Sequence, residues 1–174
     1  MQPWWLDSVC GKAHWGVCLS LGNSDRYQGS LVYYLEKKRG LKQIKMPPMT
    51  TYSGLWLNYP KDIKLHSRYA YEKKVITELI AQLPPYDLFY QQFHPTIKNA
   101  LPLHWQGFRQ SLHYTYLIDL KRPESLEENL KGSVRTDLKK AANHLHIIEE
   151  DHIDPFLNLI QKSYQIKGQT PPYR

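Results

Sequence analysis

Gly29-Ser30-Leu31-Val32-Tyr33-Tyr34-Leu35-Glu36-Lys37 is dense in β-branched, aromatic and aliphatic side chains and holds no proline, so it reads as a strand. The run Lys37-Lys38-Arg39-Gly40 that follows has turn chemistry, and Leu41 to Lys45 alternates apolar with polar residues, which predicts another strand. On the other side, His14 to Leu21 reads as a strand that ends at the turn signal Gly22-Asn23. Three successive strands with short connections predict an antiparallel meander. A short helix comes first: Pro3 has the fixed φ of a first helical turn, Trp4, Trp5 and Val9 give an apolar side, and Gly11 suits an αL end.

Beyond the meander the punctuation is proline. Met46-Pro47-Pro48-Met49 cannot continue a central strand, because the two prolines supply no N–H donors. The segment from there to Pro60 reads as a long aromatic loop, the kind that often lines a binding site. Ser67 to about Leu83 carries Tyr71, Val75, Ile76, Leu79, Ile80 and Leu83 on one side and reads as a helix stopped by Pro84-Pro85. Tyr86 to Phe93 reads as a strand, Leu101 to Trp105 as one short helical turn, and Arg109 to Leu120 as a long strand with Leu112, Tyr114, Tyr116 and Ile118 at period two.

The character changes over Asp119–Pro123. Ser125 to Leu130 and Ser133 to Leu145 read as helices, the second with Val134, Leu138, Ala141, Ala142 and Leu145 on a buried side. His146 to Glu150 reads as a short strand, and Asp154 to Ile166 as a helix with Asp154 as its N-cap. The expected class is therefore α+β: a mixed, largely antiparallel sheet flanked by helices over residues 1–120, then the beginning of a second domain over 121–174, continued beyond Arg174.

Composition bounds the function. The chain has 174 residues, 41% hydrophobic and 22% charged, enough for a real core and too apolar for a disordered tail. The longest apolar runs fall far short of a bilayer span, and the first residues do not read as a signal peptide, so neither secretion nor membrane spanning is expected. Cys10 and Cys18 make no disulfide framework, so they read as reduced thiols in a cytoplasmic protein. The net charge of +7 is concentrated in residues 1–120, with 14 basic and 8 acidic side chains, against 9 and 8 in the remainder. Such a balance suits an anionic partner or simply a solvated surface.

An ordered set of residues carries a resemblance. Gln2-Pro3-Trp4-Trp5-Leu6-Asp7-Ser8-Val9-Cys10 with Trp15, the Met46-Pro47-Pro48 loop, Phe93-His94-Pro95, Leu101-Pro102 with Trp105-Gln106-Gly107-Phe108, and Arg135-Thr136-Asp137-Leu138-Lys139-Lys140-Ala141 are similar to FemAB-type transferases. More narrowly, they resemble bacterial proteins grouped as GNAT-superfamily acetyltransferases. The resemblance implies a GNAT-like first domain over 1–120 and the start of a second GNAT-like domain over 121–174. It also implies acyl or aminoacyl transfer to an amine-bearing acceptor, such as a cell-wall precursor, from acyl-CoA or aminoacyl-tRNA. On this comparison the chain mainly supplies acceptor binding and the groove between domains, tRNA is a candidate partner, and DNA is not expected. The Gln/Arg-x-x-Gly-x-Gly/Ala turn that holds the pyrophosphate in CoA-dependent members does not follow Phe93. Gln165-Ile166-Lys167-Gly168 lacks its second glycine, so no cofactor site is read within this chain. The competing reading is a non-catalytic module that binds an anionic ligand, a carbohydrate or RNA.

Five side chains are the candidates for substrate contact: Tyr52, His94, Asn99, Arg135 and Lys139. His94 sits where a strand ends and suits either a general base near neutral pH or a loop cap. Asn99 suits an acceptor-binding amide or a turn residue. Tyr52, with Trp56 and Tyr59, either walls a sugar or peptide site or buries its ring over the sheet. Arg135 and Lys139, spaced i, i+4, present one helix face to phosphates, unless Asp137, Glu127 and Glu128 neutralise them. Lys37-Lys38-Arg39 reads as a phosphate contact or a solvated hairpin tip. The His144, His146, Glu149, Glu150, Asp151 and His152 group matches no ligand spacing for a metal. No nucleophile elbow or Walker loop is present, and the catalytic residues are unassigned.

Overall fold

The computed structural model describes residues 2–22, 26–121 and 124–171. Pro3 stands in the first turn of α1 (Pro3–Cys10), and Gly11 closes it at φ 80° and ψ 142°, outside the αL region that the sequence suggests. One face of the helix buries Leu6, while Trp15 Nε1 donates to Asp7 Oδ1 at 2.9 Å and Trp5 Nε1 to Thr50 Oγ1 at 3.0 Å. These two indole bonds tie α1 to both ends of the meander.

The meander forms as β1 (Trp15–Leu21), β2 (Tyr27–Lys38) and β3 (Leu41–Lys45), each antiparallel to the next. Asn23 of the expected turn after β1 lies outside the described residues. The β2–β3 connection is a two-residue hairpin, because Lys38 pairs with Leu41. Arg39 and Gly40 take φ of 53° and 82°, the positive pair that matches the right-handed twist of the strands. The basic residues there form a hairpin tip.

Two further strands complete a mixed five-stranded sheet in the order β1-β2-β3-β5, with β4 on β2. β4 (Leu55–Leu57) lies inside the segment expected to be an irregular loop, antiparallel to Gly29–Leu31 of β2. β5 (Leu88–Phe89) is only the centre of the strand expected from Tyr86 to Phe93, and it runs parallel to β3. Where β2 passes from β4 to β3, its backbone bonds go elsewhere: Val32 N–H donates to Gly54 O at 3.2 Å and Val32 O accepts from Gln91 Nε2 at 2.9 Å.

One face of the sheet holds the core. Cys18, Leu31, Leu55 and Leu57 meet Val75, Ile76 and Leu79 of α2 (Leu65–Ala81) and Leu103 of α3 (Leu101–His104). Each large aliphatic side chain buried this way contributes about 1.5–3 kcal/mol. The opposite face leaves Val17, Leu19 and Trp56 exposed. β1 is an edge strand, and Gln82 at the end of α2 clamps its open side. Leu19 N–H donates to Gln82 Oε1 at 3.1 Å, and Gln82 Nε2 donates to Leu19 O at 3.0 Å. The amide side chain thus imitates a neighbouring strand at one residue of the edge. Gln82→Ala is expected to cost about 1 kcal/mol and to speed amide hydrogen exchange at Leu19, read by NMR. Unchanged exchange there would mean that the clamp contributes no protection.

The chain divides into two units, Met1–His113 and Tyr114–Arg174. The strand expected over Arg109–Leu120 does not form: residues 109–119 have no regular structure. Tyr114 and Tyr116 are 94% and 98% exposed. Period-two alternation assigns faces to a strand, but a strand persists only with a partner for its N–H and C=O groups, and this segment pairs with none of the described strands.

The second unit is helical among its described residues: α4 (Glu124–Asn129), α5 (Gly132–His144) and α6 (Asp154–Ile166). The short strand expected over His146–Glu150 is absent. Asp154 stands in the first turn of α6, with Ile153 at the cap and no side-chain cap bond. No described residue of this unit is buried, so the side of α5 expected inside, including Val134, Leu138 and Leu145, is exposed. Pro123 and Pro172 to Arg174, where the sequence shows proline punctuation, lie outside the described residues.

Candidate functional site

The first unit has an open groove of about 450 Å³ lined by Leu65, Arg68, Tyr69, Lys98, Asn99, Leu101 and Trp105. Its residues come from the start of α2, the loop before α3, and α3 with its following residue. On α2, Leu65 and Tyr69 are spaced i, i+4 and continue the stripe of Ile76 and Leu79 toward the first turn, where both are exposed and line the groove. On the other side, Trp105 is 60% exposed. Lys73 Nζ lies 5.0 Å from the centroid of its ring, a cation–π contact.

Behind this lining sits Glu72, 3% exposed and held by three donors. Arg68 Nε donates to Oε1 at 2.8 Å, Tyr59 O–H to Oε1 at 2.8 Å, and Asn99 Nδ2 to Oε2 at 2.6 Å. Burial pushes the Glu72 carboxyl up, but the donors from Asn99, Arg68 and Tyr59 and the Arg68 charge outweigh it, and the net shift is downward. Glu72 is therefore an anchor and a poor proton acceptor. Its work is to fix Arg68, whose guanidinium also stacks over the Tyr59 ring at 4.3 Å. Arg68 Nε and Nη2 are engaged, the latter donating to Tyr59 Oη at 3.3 Å, and no bond within the described residues takes up Nη1. Lys98 and Lys73 form no ion pair among the described residues. Glu72 balances the charge of Arg68, so the surplus positive charge comes from Lys98 in the lining and Lys73 beside Trp105, while Arg68 keeps a free donor edge.

Of the residues singled out from sequence, Tyr52 and His94 come together, their rings in an edge-to-face contact at 5.3 Å. The backbone bond from Ser53 N–H to Gln92 O, 2.9 Å, brings the two segments side by side. Thr96 N–H donates to His94 Nδ1 at 3.3 Å, and Thr96 Oγ1 lies 3.0 Å from the same nitrogen. A backbone N–H can only donate, so Nδ1 is the acceptor and the neutral ring carries its proton on Nε2. The outward nitrogen is then a donor, which fits a loop cap better than a general base. Asn99 lies elsewhere, in the groove, with its amide N–H on Glu72 and its Oδ1 accepting from Leu101 N–H at 3.1 Å, so it also caps α3.

The three rings of the proline-bounded segment do not make one wall. Trp56 projects from β4 on the face opposite the buried Leu55 and Leu57, Tyr59 turns to Glu72, and Tyr52 meets His94. In the second unit, Arg135 and Lys139 are exposed one turn apart on α5. No ion pair joins them to Asp137 or Glu128 among the described residues, and the Glu127 side chain lies outside these. The groove residues Arg68, Tyr69, Lys98 and Trp105 are absent from the sequence-based set. No local signal marks them: Leu65 and Tyr69 stand on the same stripe of α2 as the buried Ile76, and only the fold leaves that end of the stripe exposed.

Among the described residues no three His, Cys, Asp or Glu side chains converge as metal ligands, and no helix is long and apolar enough to cross a membrane. No protein-family model matches the chain, and no curated protein matches it. Among solved structures, a mutant of the BH1408 protein from Bacillus halodurans aligns with a TM-score of 0.37 and 14% identity, over 69% of this chain and 75% of that one.

Proposed function

We propose that the first unit captures an anionic acceptor in the groove beside Arg68, as the acceptor-binding part of an acyl- or aminoacyltransferase of the FemAB/GNAT kind. The observation that supports capture is the immobilised guanidinium: Glu72 and Tyr59 hold Arg68 in place, with Lys98 on the same lining. A cation held before the ligand arrives loses little freedom on binding, which is where much affinity is otherwise spent. On this reading the five-stranded sheet is a GNAT-like domain, and residues from 121 onward open a second one. The acceptor's amine nitrogen forms a bond to the acyl carbonyl carbon, the bond to the CoA sulfur or the tRNA ribose oxygen breaks, and the amine loses a proton to solvent.

A second reading, a binding module without catalysis, draws on the same geometry. Glu72 is buried and already accepts from three donors, and His94 presents a donor, so neither is poised to accept a proton. The two are separated by two measurements. Inorganic phosphate should bind the whole chain in calorimetry, and Arg68→Gln should weaken it about tenfold, the worth of one charge-assisted hydrogen bond. Release of thiol from acetyl-CoA, or of free tRNA from aminoacyl-tRNA, in the presence of O-phosphoethanolamine would favour the transferase. Phosphate binding with no preference for O-phosphoethanolamine over ethyl phosphate, which lacks the acceptor amine, favours the module, and absence of phosphate binding sinks both.

A further inference from the structure

Resting on that reading of the groove, we infer that its ligand joins the anion to a planar ring, the anion meeting Arg68 and Lys98 and the ring lying on Trp105. Three features of the lining argue for this. First, the apolar part is large and exposed: Leu65, Tyr69, Leu101 and Trp105 all sit in contact with water, at 64%, 52%, 54% and 60% of their full exposure. Four such side chains around one concavity leave a site that an inorganic anion would not cover.

Second, the indole is already polarised. Lys73 Nζ at 5.0 Å from the Trp105 centroid draws on the electron density of the ring, and it keeps the indole oriented at the groove. An aromatic ligand gains from that fixed surface through offset or edge contact, whereas a saturated ring of equal size gains only area. Third, the groove volume of about 450 Å³ falls in the range of small-molecule sites and leaves ample room for a single-ring anion. Charge selects the sign of the ligand, since the buried Glu72 carboxylate is committed to three donors, and Lys98 and Lys73 have no acidic partner among the described residues.

Titration of the whole chain with inorganic phosphate, phenyl phosphate and cyclohexyl phosphate tests the inference. Phenyl phosphate should bind about three- to tenfold tighter than cyclohexyl phosphate, the span expected of one aromatic contact. Trp105→Leu should erase that ratio while phosphate affinity holds. Lys98→Gln should weaken all three probes and preserve the ratio. Trp105 is exposed, so its replacement leaves the core intact, and unchanged thermal melting checks this. Equal binding of the two ring phosphates overturns the inference while the anion-capturing reading stands. A ratio that persists in Trp105→Leu overturns it too, by placing the ring elsewhere. Binding of none of the probes removes both.

Discussion

Glu72→Ala is expected to be among the most damaging single substitutions in the first unit, at about 2–4 kcal/mol in urea denaturation. The carboxylate is 3% exposed and receives Arg68, Tyr59 and Asn99. Removing it strands a phenol, an amide and a guanidinium that each gave up water to reach it. The cost stays below the upper range for a buried ion pair because the Arg68 side chain is 37% exposed and regains water. Glu72→Gln keeps the shape but turns an amide N–H₂ toward donors, so it should recover only part of the loss. Lys74→Ala is the contrast: its pair with Glu78 is exposed and 3.9 Å long, and its loss should be within about 0.5 kcal/mol.

The same site fixes an acid limb. Folding lowers the Glu72 pKa from its ordinary 4.5, the donors and the Arg68 charge having outweighed burial. The folded state therefore binds its proton less tightly than the unfolded chain. The stabilisation is full above the unfolded value and fades as pH falls through the lower folded value. Wild type should lose stability below about pH 4.5, and Glu72→Gln should show a flatter profile there, measured by urea midpoints from pH 2 to 7. Parallel profiles would show that Glu72 does not titrate with folding.

Much of the meander is legible in the sequence because its signals are local. Alternation over Leu41–Lys45 and a basic turn at Lys38–Leu41 are settled within a few residues, and so is the proline at the start of α1. What the sequence hides is pairing at a distance. Leu55–Leu57 is too short to announce itself beside prolines and becomes a strand because Gly29–Leu31 lies alongside. Residues 109–120 have stronger alternation and form none, since alternation says nothing of a neighbour. The site follows the same rule. Asn99 is in the groove but spent on Glu72, twenty-seven positions away in sequence, a partner no local pattern announces. The lining is hidden for a related reason: Leu65 and Tyr69 continue the apolar stripe of α2 toward its first turn, and only the tertiary fold leaves that end exposed.

Gly29→Val is expected to cost more than about 3 kcal/mol, beyond ordinary overpacking. Gly29 is where β2 is enclosed on three sides: Ser20 of β1 and Leu57 of β4 pair with it, and α2 presses from above through Val75. A Cβ built there would stand 2.8 Å from Val75 Cγ1, 2.9 Å from Trp56 O and 3.2 Å from Leu57 Cδ2. Val75 is fully buried and cannot swing aside, and the Trp56 carbonyl belongs to the backbone of β4. Even Gly29→Ala must then displace a strand or a helix, at about 1–3 kcal/mol. Trimming the helix separates these two obstacles. In the double variant Gly29→Ala, Val75→Ala, the methyl enters the space left by the valine, and the costs should fall short of their sum by about 1 kcal/mol. The carbonyl contact remains, so the rescue stays partial. Full additivity would mean that β4, and not α2, yields to the new methyl. In that case β4 would shift Tyr59, and with it the hydroxyl that helps hold Glu72 and Arg68, so phosphate affinity in Gly29→Ala would fall with stability.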